Sequence, residues 1–203
     1  VGNDRTPEWT FTAPGAATAE CRLTGGALAG GWQACSASFA PDLAAAVDAT
    51  YTFAVRAADA AGNLSPETTR TYRLDTAAPD APAITAGPGA KGAVATPAWA
   101  FTGEAGAAYE CRLLRGGATL EDWATCATPR GYDLVGGQDG AYRFEVRASD
   151  AAGNTGPVAG SDYALDRSVP GVPAITGAPG PIGSLSVVTW SFGGPAERPR
   201  DDR

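Results

Sequence analysis

The feature that most constrains this 203-residue chain is that it repeats itself, at a shift of 90 residues near its start and 91 further on. The equivalent positions are identical in residue type: Trp9, Phe11, Cys21, Trp32, Cys35, Tyr51 and Asp75 return as Trp99, Phe101, Cys111, Trp123, Cys126, Tyr142 and Asp166. A repeat of this length fits one small sandwich domain and is too long for a solenoid unit. The sequence therefore predicts tandem copies of one domain.

Each copy reads as a series of short strands separated by turns. Residues 51–57 and 142–148 alternate apolar residues with polar or small ones, which is typical of a half-buried strand. Gly62-Asn63 and Gly153-Asn154 follow these strands and mark hairpin turns. A full copy carries about seven such strands and no sustained helical period, so we predict an all-β sandwich.

One Ala-rich segment could instead form a helical turn. It runs from Leu43 to Val47, and its counterpart from Leu134 to Gln138 contains Gly136 and Gly137. Because glycine disfavours helix, we predict that both segments are loops.

Prolines divide the chain into units, since Pro79 and Pro82 return as Pro170 and Pro173. The predicted units are 1–78, a repeat without its first strand; 79–168, a complete repeat; and 169–203, the start of a third, truncated repeat with a polar tail. The missing first strand is the one that residues 83–85 supply to the second unit. Trp190 and Phe192 mark the third unit.

Charge and composition exclude several classes of function. The net charge is −7 and Lys91 is the single lysine, so no basic patch is available for nucleic acid or an anionic membrane. No apolar run approaches the roughly 18 to 20 residues of a membrane-spanning helix, and the start lacks the pattern of a signal peptide. Because the sequence has no initiating methionine, we expect a mature piece or fragment whose export signal and anchor lie outside it.

Catalytic motifs are missing from the sequence. There is no histidine to activate a nucleophile, no closely spaced set of zinc ligands, no nucleophile elbow and no glycine-rich phosphate loop. We therefore predict that the segment is not an enzyme.

The residues of the best-marked strand and turn resemble a known family. They are Leu134, Gly140, Tyr142, Phe144, Val146, Ala148, Asp150, Gly153 and Asn154. They look like the penultimate strand and following turn of fibronectin type III and bacterial immunoglobulin-like domains. The larger pattern, with a Cys pair bracketing a Trp, an Asp-Ala-Ala-Gly-Asn turn and a Pro-x-x-Pro joint, is similar to repeats of large bacterial surface adhesins and secreted repetitive proteins.

This resemblance implies tandem immunoglobulin-like β-sandwiches in an extracellular, secreted or cell-surface protein. It also implies that Tyr51 and Tyr142 form tyrosine corners, in which the hydroxyl bonds back to the preceding loop.

The four cysteines fall at equivalent places in the two copies. Of the three connectivities that four cysteines allow, Cys21 with Cys35 and Cys111 with Cys126 is the simplest, and analogy with secreted domains supports it. We predict one structural disulfide in each repeat.

The five tryptophans could form either a core or a platform for sugars. Trp9, Trp99 and Trp190 share a strand face with a phenylalanine two positions later, so we predict that they are core residues. Trp32 and Trp123 lie beside the cysteines. For these two, the resemblance favours packing against the disulfide.

One polar set has two interpretations: Asp59, Asn63, Asp75, Asp150, Asn154 and Asp166. In the adhesin repeats that this chain resembles, aspartates near the joints between repeats bind calcium, which prefers oxygen ligands. The alternative is that Asp59 and Asp150 hold their turns through hydrogen bonds to the backbone, and the sequence favours it slightly. Calcium is the one cofactor that these residues suggest.

Three functions are consistent with these features. The first is a non-catalytic structural or adhesive repeat that acts as a spacer or as a binding surface for a host or cell-surface protein or glycan, with neighbouring repeats as its partners. The second is an accessory spacer or carbohydrate-binding segment of a secreted hydrolase. The third is a filament subunit that self-assembles by donating a strand to the next copy.

Overall fold

The chain is all-β in the computed structural model, which describes residues 1–177 and the two-residue strand Phe192–Gly193. The strands of the first repeat are β1 (Trp9–Thr10), β2 (Thr18–Gly25), β3 (Leu28–Ala29), β4 (Gln33–Cys35), β5 (Ser38–Phe39), β6 (Ala49–Ala58) and β7 (Thr68–Leu74). Those of the second are β8 (Ala83–Ala86), β9 (Lys91–Gly92), β10 (Ala98–Thr102), β11 (Ala108–Arg115), β12 (Ala118–Thr125), β13 (Arg130–Gly131), β14 (Gly140–Ser149) and β15 (Ala159–Leu165). Two more follow, β16 (Ala174–Ile175) and β17 (Phe192–Gly193). The described residues contain no helix that could span a membrane.

The second repeat is a complete two-sheet sandwich. One sheet has the order β13-β10-β8 and the other the order β12-β11-β14-β15-β9. All neighbours run antiparallel except β9, which pairs in parallel with β15. This arrangement confirms the predicted immunoglobulin-like sandwich.

The first repeat has the same larger sheet and a smaller second one. Its larger sheet has the order β3-β2-β6-β7, with β4 also paired to β2, and β1 pairs with β5. A parallel bridge between Gly2 and Leu74 stands where β9 pairs with β15 in the second repeat. No strand equivalent to β8 precedes β1 in the described chain.

Each repeat has its own hydrophobic core. In the second, Trp99 stacks on Phe144 with 5.0 Å between ring centroids, and Phe101 and Val146 are fully buried beside them. In the first, Trp9 stacks on Phe53 at 5.2 Å. Trp99 is a fully buried core residue, as predicted, and Trp9 packs against the core of the first repeat but is only partly buried. Trp190 lies outside the described residues.

Each repeat also contains one disulfide, as predicted. Cys21 bonds to Cys35 and Cys111 to Cys126, in each case with the Cα atoms 5.8 Å apart. Each bond joins an inner strand of the larger sheet, β2 or β11, to the chain on its edge side, where Cys35 ends β4 and Cys126 directly follows β12. Closing loops of this length stabilises a domain by about 3 kcal/mol, chiefly by restricting the unfolded chain.

Two equivalent loops carry tyrosine corners. The hydroxyl of Tyr51 donates to the carbonyl of Val47, and that of Tyr142 to the carbonyl of Gln138, both at 2.6 Å. The segments from Leu43 and from Leu134 are loops, as the glycine argument predicted. Their leucines are buried, which anchors each loop to its core.

The chain separates into two compact units, Val1–Asp166 and Arg167–Arg203. In the second unit, β16 pairs antiparallel with β17, with Ala174 opposite Gly193 and Ile175 opposite Phe192. This is the register in which Ala83 and Ile84 pair with β10. The polar tail of the predicted third repeat lies outside the described residues.

Candidate functional site

The polar residues that link the two repeats lie at the joint where the first repeat meets the second, inside the unit Val1–Asp166. The turn between β14 and β15 forms one side of this joint. In it, the Asp150 carboxylate accepts hydrogen bonds from the backbone N–H groups of Ala152 and Asn154, both at 2.9 Å. Gly153 has a φ of 92°, a conformation that favours glycine. The turn is therefore fixed by its own side chain.

Asn154 links this turn to the first repeat. Its Nδ2 donates to the backbone carbonyl of Asp75 at 2.9 Å, and its Oδ1 accepts from Nδ2 of Asn3 at 3.1 Å. The same Nδ2 also donates to the Asp150 carboxylate at 2.8 Å. The side-chain amide of Asn154 thus joins the turn of the second repeat to two segments of the first repeat, one at Asn3 and one at Asp75.

The linker at the joint is packed and not loose. Pro79 and Pro82 are buried, and so is Gly156, which follows the turn. A methyl group on Gly156 would lie 2.2 Å from the carbonyl oxygen of Pro79. The two chain segments therefore approach so closely that only glycine fits.

A polar cleft of about 470 Å³ lies beside the joint. Its charged lining residues are Arg73, Asp75, Glu104 and Asp150, with alanines between them. Arg73 pairs with the Asp75 carboxylate at 3.3 Å. Within the part of the chain that the structure describes, no group of three or more His, Cys, Asp or Glu side chains could hold a metal ion.

The structure brings three residues of the sequence-predicted calcium set together at the joint, Asp75, Asp150 and Asn154, and leaves Asp59, Asn63 and Asp166 elsewhere. Asp59 and Asn63 lie in the turn of the first repeat, and Asp150 and Asn154 in that of the second. The Asp75 carbonyl reaches Asn154, while Asp166 pairs with Lys91 at 2.9 Å. Both turn aspartates hold the backbone, as the alternative interpretation predicted, and calcium binding stays a prediction.

The hydrogen bonds of the turns act on the acidity of these aspartates. The Asn154 side chain is the largest influence that lowers the pKa of Asp150 below its usual value of 3.8, with backbone N–H groups adding to it. Asn63 lowers the pKa of Asp59 in the same way. Both carboxylates are therefore held in the charged form. This is the form in which they accept the hydrogen bonds from the backbone N–H groups of the turns.

Trp32 and Trp123 lie on the outer face of the larger sheet and not against the disulfide. The Cζ atoms of Arg22 and Arg56 lie 4.5 and 4.2 Å from the centroid of Trp32. Those of Arg112 and Arg147 lie 4.6 and 4.3 Å from Trp123. The physical reason is alternation, because in an extended chain a residue three positions before an inward-facing cysteine faces outward.

Carboxylates complete this charged surface. Glu20 pairs with Arg56 at 2.7 Å, and Glu110 pairs with Arg147 at 2.8 Å. In the second repeat, the buried Glu145 accepts from Arg112 and from Arg143. Burial alone would raise the pKa of Glu145, but these arginines lower it below its usual value.

Sequence reasoning missed both the inter-repeat contacts of Asn154 and the arginine partners of the tryptophans. The arginine pairing had a signal in the sequence, because Arg22 and Arg56 recur as Arg112 and Arg147 together with the tryptophan. The contact between Asn154 and Asp75 had none, since the turn motif is the same in both repeats.

Comparisons with known proteins give one relative by sequence. No family model matches the chain. Exoglucanase B of Cellulomonas fimi is 32% identical over 213 residues, which cover 94% of this chain and 18% of that protein. The chain thus spans less than a fifth of the length of the curated relative that it matches.

Solved structures with a similar arrangement include modules of several proteins. The fibronectin(III)-like modules of Clostridium thermocellum CbhA match at a TM-score of 0.44 and 11% identity, over 81% of this chain and 86% of theirs. The chicken CNTN1 FN1-FN3 domains match at 0.46 and 12%, over 82% and 64%. A 1.5-MDa bacterial ice-binding adhesin matches at 0.46 and 14%, over 84% and 62%. Fibronectin type III-like modules and an adhesin are thus among the structures to which this chain is similar.

Proposed function

We propose that this chain is a non-catalytic segment of an extracellular protein, whose repeats act as a spacer of defined geometry. The observation that carries the proposal is the joint, where Asn154 bonds to the Asp75 carbonyl and to Asn3. A spacer needs repeats that keep their mutual orientation. Buried prolines and the hydrogen bonds of the Asn154 side-chain amide fix this orientation better than a flexible linker does.

A second candidate is a spacer within a secreted hydrolase, and the alignment with exoglucanase B favours it. In this version the catalytic domain would lie elsewhere in the longer protein. Carbohydrate binding by Trp32 and Trp123 is the weaker variant, because two guanidinium groups already lie over each ring. A platform that stacks on sugars needs a free aromatic face.

The spacer role predicts that the two repeats tumble together. ¹⁵N relaxation of the full chain should give one rotational correlation time for residues 1–78 and 79–166. Asn154→Ala should separate the two values, since it removes both bonds across the joint.

Asn63→Ala is the matched control. Asn63 bonds to Asp59 at 2.8 Å as Asn154 does to Asp150, yet it reaches no other repeat in the described chain. It should weaken its own turn and leave the common tumbling unchanged. Independent tumbling of the repeats in the unmodified chain would contradict the spacer proposal.

A further inference from the structure

The turn of the second repeat that contacts the first repeat has a nearly identical copy in the first repeat. Residues 150–157 read Asp-Ala-Ala-Gly-Asn-Thr-Gly-Pro, and residues 59–66 read Asp-Ala-Ala-Gly-Asn-Leu-Ser-Pro. The two segments differ only in that Thr155 and Gly156 stand where the first repeat has Leu64 and Ser65. Within these segments, any difference in what the turns can contact must therefore come from these two positions.

The two turns also have the same backbone arrangement. The N–H of Gly156 donates to the carbonyl of Ala148 at 2.9 Å, and the N–H of Ser65 donates to the carbonyl of Ala57 at 2.8 Å. Gly156 does not have a left-handed φ, in contrast to Gly153 at 92°. The conformation of the turn therefore does not require glycine at position 156.

The first repeat shows that serine fits this turn. The hydroxyl of Ser65 accepts from the N–H of Ala57 at 3.0 Å and donates to the carbonyl of Pro66 at 2.9 Å. Ala148 and Pro157 stand at the equivalent positions of the second repeat. A serine at position 156 would thus find the same hydrogen-bond partners in its own repeat.

The linker from the first repeat is what excludes a side chain at position 156. A Cβ added there would lie 3.1 Å from the carbonyl carbon of Pro79, and closer to the carbonyl oxygen than the 3.0 Å limit for real Cβ atoms. Gly156 and Pro79 are both buried, whereas Ser65 is exposed. Thr155 is exposed too, and its hydroxyl bonds to that of Ser149 in the same repeat. Of the two differing residues, Gly156 is therefore the one that lies against the linker.

A side chain at position 156 would push the linker, and with it the end of the first repeat, away from the turn. The two hydrogen bonds across the joint, from Asn154 to the Asp75 carbonyl and from Asn3 to Asn154, are 2.9 and 3.1 Å long. Because such bonds are confined to about 2.7–3.2 Å, a displaced first repeat loses both of them.

We propose that the residue at this position determines which repeats of an array can be joined tightly to the repeat ahead of them. Glycine, as at Gly156, admits the close approach of a linker proline and the hydrogen bonds of the asparagine. Serine, as at Ser65, preserves its own turn but excludes a joint of this geometry. The partner that the glycine surface fits is the end of another repeat, with a carbonyl and a buried proline equivalent to those of Asp75 and Pro79. This inference rests on the proposed spacer role and adds to it a rule for which joints are rigid.

Residual dipolar couplings of the full chain test the inference, because repeats with a fixed mutual orientation share one alignment tensor. In the unmodified chain, one tensor should describe residues 1–78 and 79–166. Gly156→Ser should abolish the common tensor, so that each repeat requires its own. Gly136→Ser is the matched control and should retain the common tensor, because a Cβ added at Gly136 has no heavy atom within 4 Å apart from its chain neighbours.

A second variant and a second measurement separate the joint from the fold of the repeat. Gly156→Ala adds the Cβ without the hydroxyl and should abolish the common tensor as Gly156→Ser does. The amide resonances of the buried core residues Phe144, Val146 and Tyr163 should stay unchanged in both variants, because the turn itself accommodates a side chain.

Two outcomes would overturn the inference and leave the spacer role intact. One is a common tensor in both variants at position 156. The other is loss of the core resonances of the second repeat, which would mean that its own turn needs the glycine. Separate tensors in the unmodified chain would instead contradict the spacer role on which the inference depends.

Discussion

Ala19 and Tyr109 occupy equivalent positions in the two repeats, and the difference changes the packing around them. The ring of Tyr109 lies 5.3 Å from that of Phe101, and its hydroxyl donates to the carbonyl of Glu104. In the first repeat a cavity of about 590 Å³, open to solvent, lies at this position. Phe11, Ala19 and Cys35 are among its lining residues.

Filling this cavity should stabilise the first repeat. We predict that Ala19→Phe raises the free energy of unfolding by about 0.5–2 kcal/mol, because the ring covers Phe11 as Tyr109 covers Phe101. Phenylalanine is preferred because a hydroxyl would meet the methyl group of Ala13, where the second repeat has Gly103. Urea unfolding followed by tryptophan fluorescence measures the change. Ala34→Phe, at an exposed position of β4, is the control, and an equal gain there would refute the cavity explanation.

The two turn aspartates should make stability depend on pH in the acid range. Their pKa values are lower in the folded chain than 3.8, so the folded state favours the charged form. The stabilisation is therefore complete above the unfolded-state pKa and is lost as the pH falls below about 4, through the folded-state values. We predict that the double variant Asp59→Asn and Asp150→Asn loses less stability than the unmodified chain between pH 7 and pH 3. Thermal unfolding measures this, Asp80→Asn controls for lost charge, and equal losses would contradict the prediction.

At the scale of strands, side-chain contacts on the outer face of the larger sheet join three neighbouring strands, β12, β11 and β14. Trp123 on β12 contacts Arg112 on β11 and Arg147 on β14, and both arginines are paired with glutamates. The edge strand β12 is thus tied to the two central strands on its outer side as well as by the disulfide.

We predict that Trp123→Ala lowers the free energy of unfolding of the second repeat by about 1–2 kcal/mol, since it removes two contacts between a cation and an aromatic ring. Leu120→Ala is the control, because Leu120 lies on the same strand and its side chain is 55% exposed. Guanidinium chloride unfolding compares the two variants. Equal effects would mean that the contacts with arginine contribute nothing of their own.

At the scale of the whole chain, rigidity can come from protein contacts at the joint or from a bound ion. The joint already has the Asn154 amide and buried prolines, and the turn carboxylates already accept backbone N–H groups. The Asp75 and Asp166 carboxylates are paired with Arg73 and Lys91. The coordination that calcium needs would have to displace these partners.

We therefore predict that the thermal unfolding midpoint of the full chain is the same in millimolar calcium and in excess chelator. Magnesium at the same concentration controls for screening of the net negative charge. A midpoint that rises in calcium alone would establish the calcium hypothesis, because an ion that binds the folded state stabilises it by mass action.

The sequence by itself determined the repeat, the alternating strands and the turns. These features depend on residues close together in the chain or on positions that recur with the period, so a one-dimensional pattern contains them. It placed Trp9 and Trp99 in the core for the same reason, because side chains two positions apart on a strand share a face. The tyrosine corners followed from the resemblance to fibronectin type III and bacterial immunoglobulin-like domains, and the pairing of cysteines was the simplest of three connectivities, supported by analogy with secreted domains.

Only the tertiary structure decided which equivalent residues have different surroundings. Asn63 and Asn154 have the same local sequence and the same turn, yet Asn154 alone contacts another repeat in the described chain, through Asp75, 79 positions away. The physical reason is that local sequence sets the conformation of a segment, whereas its neighbours depend on which surfaces the fold brings against it.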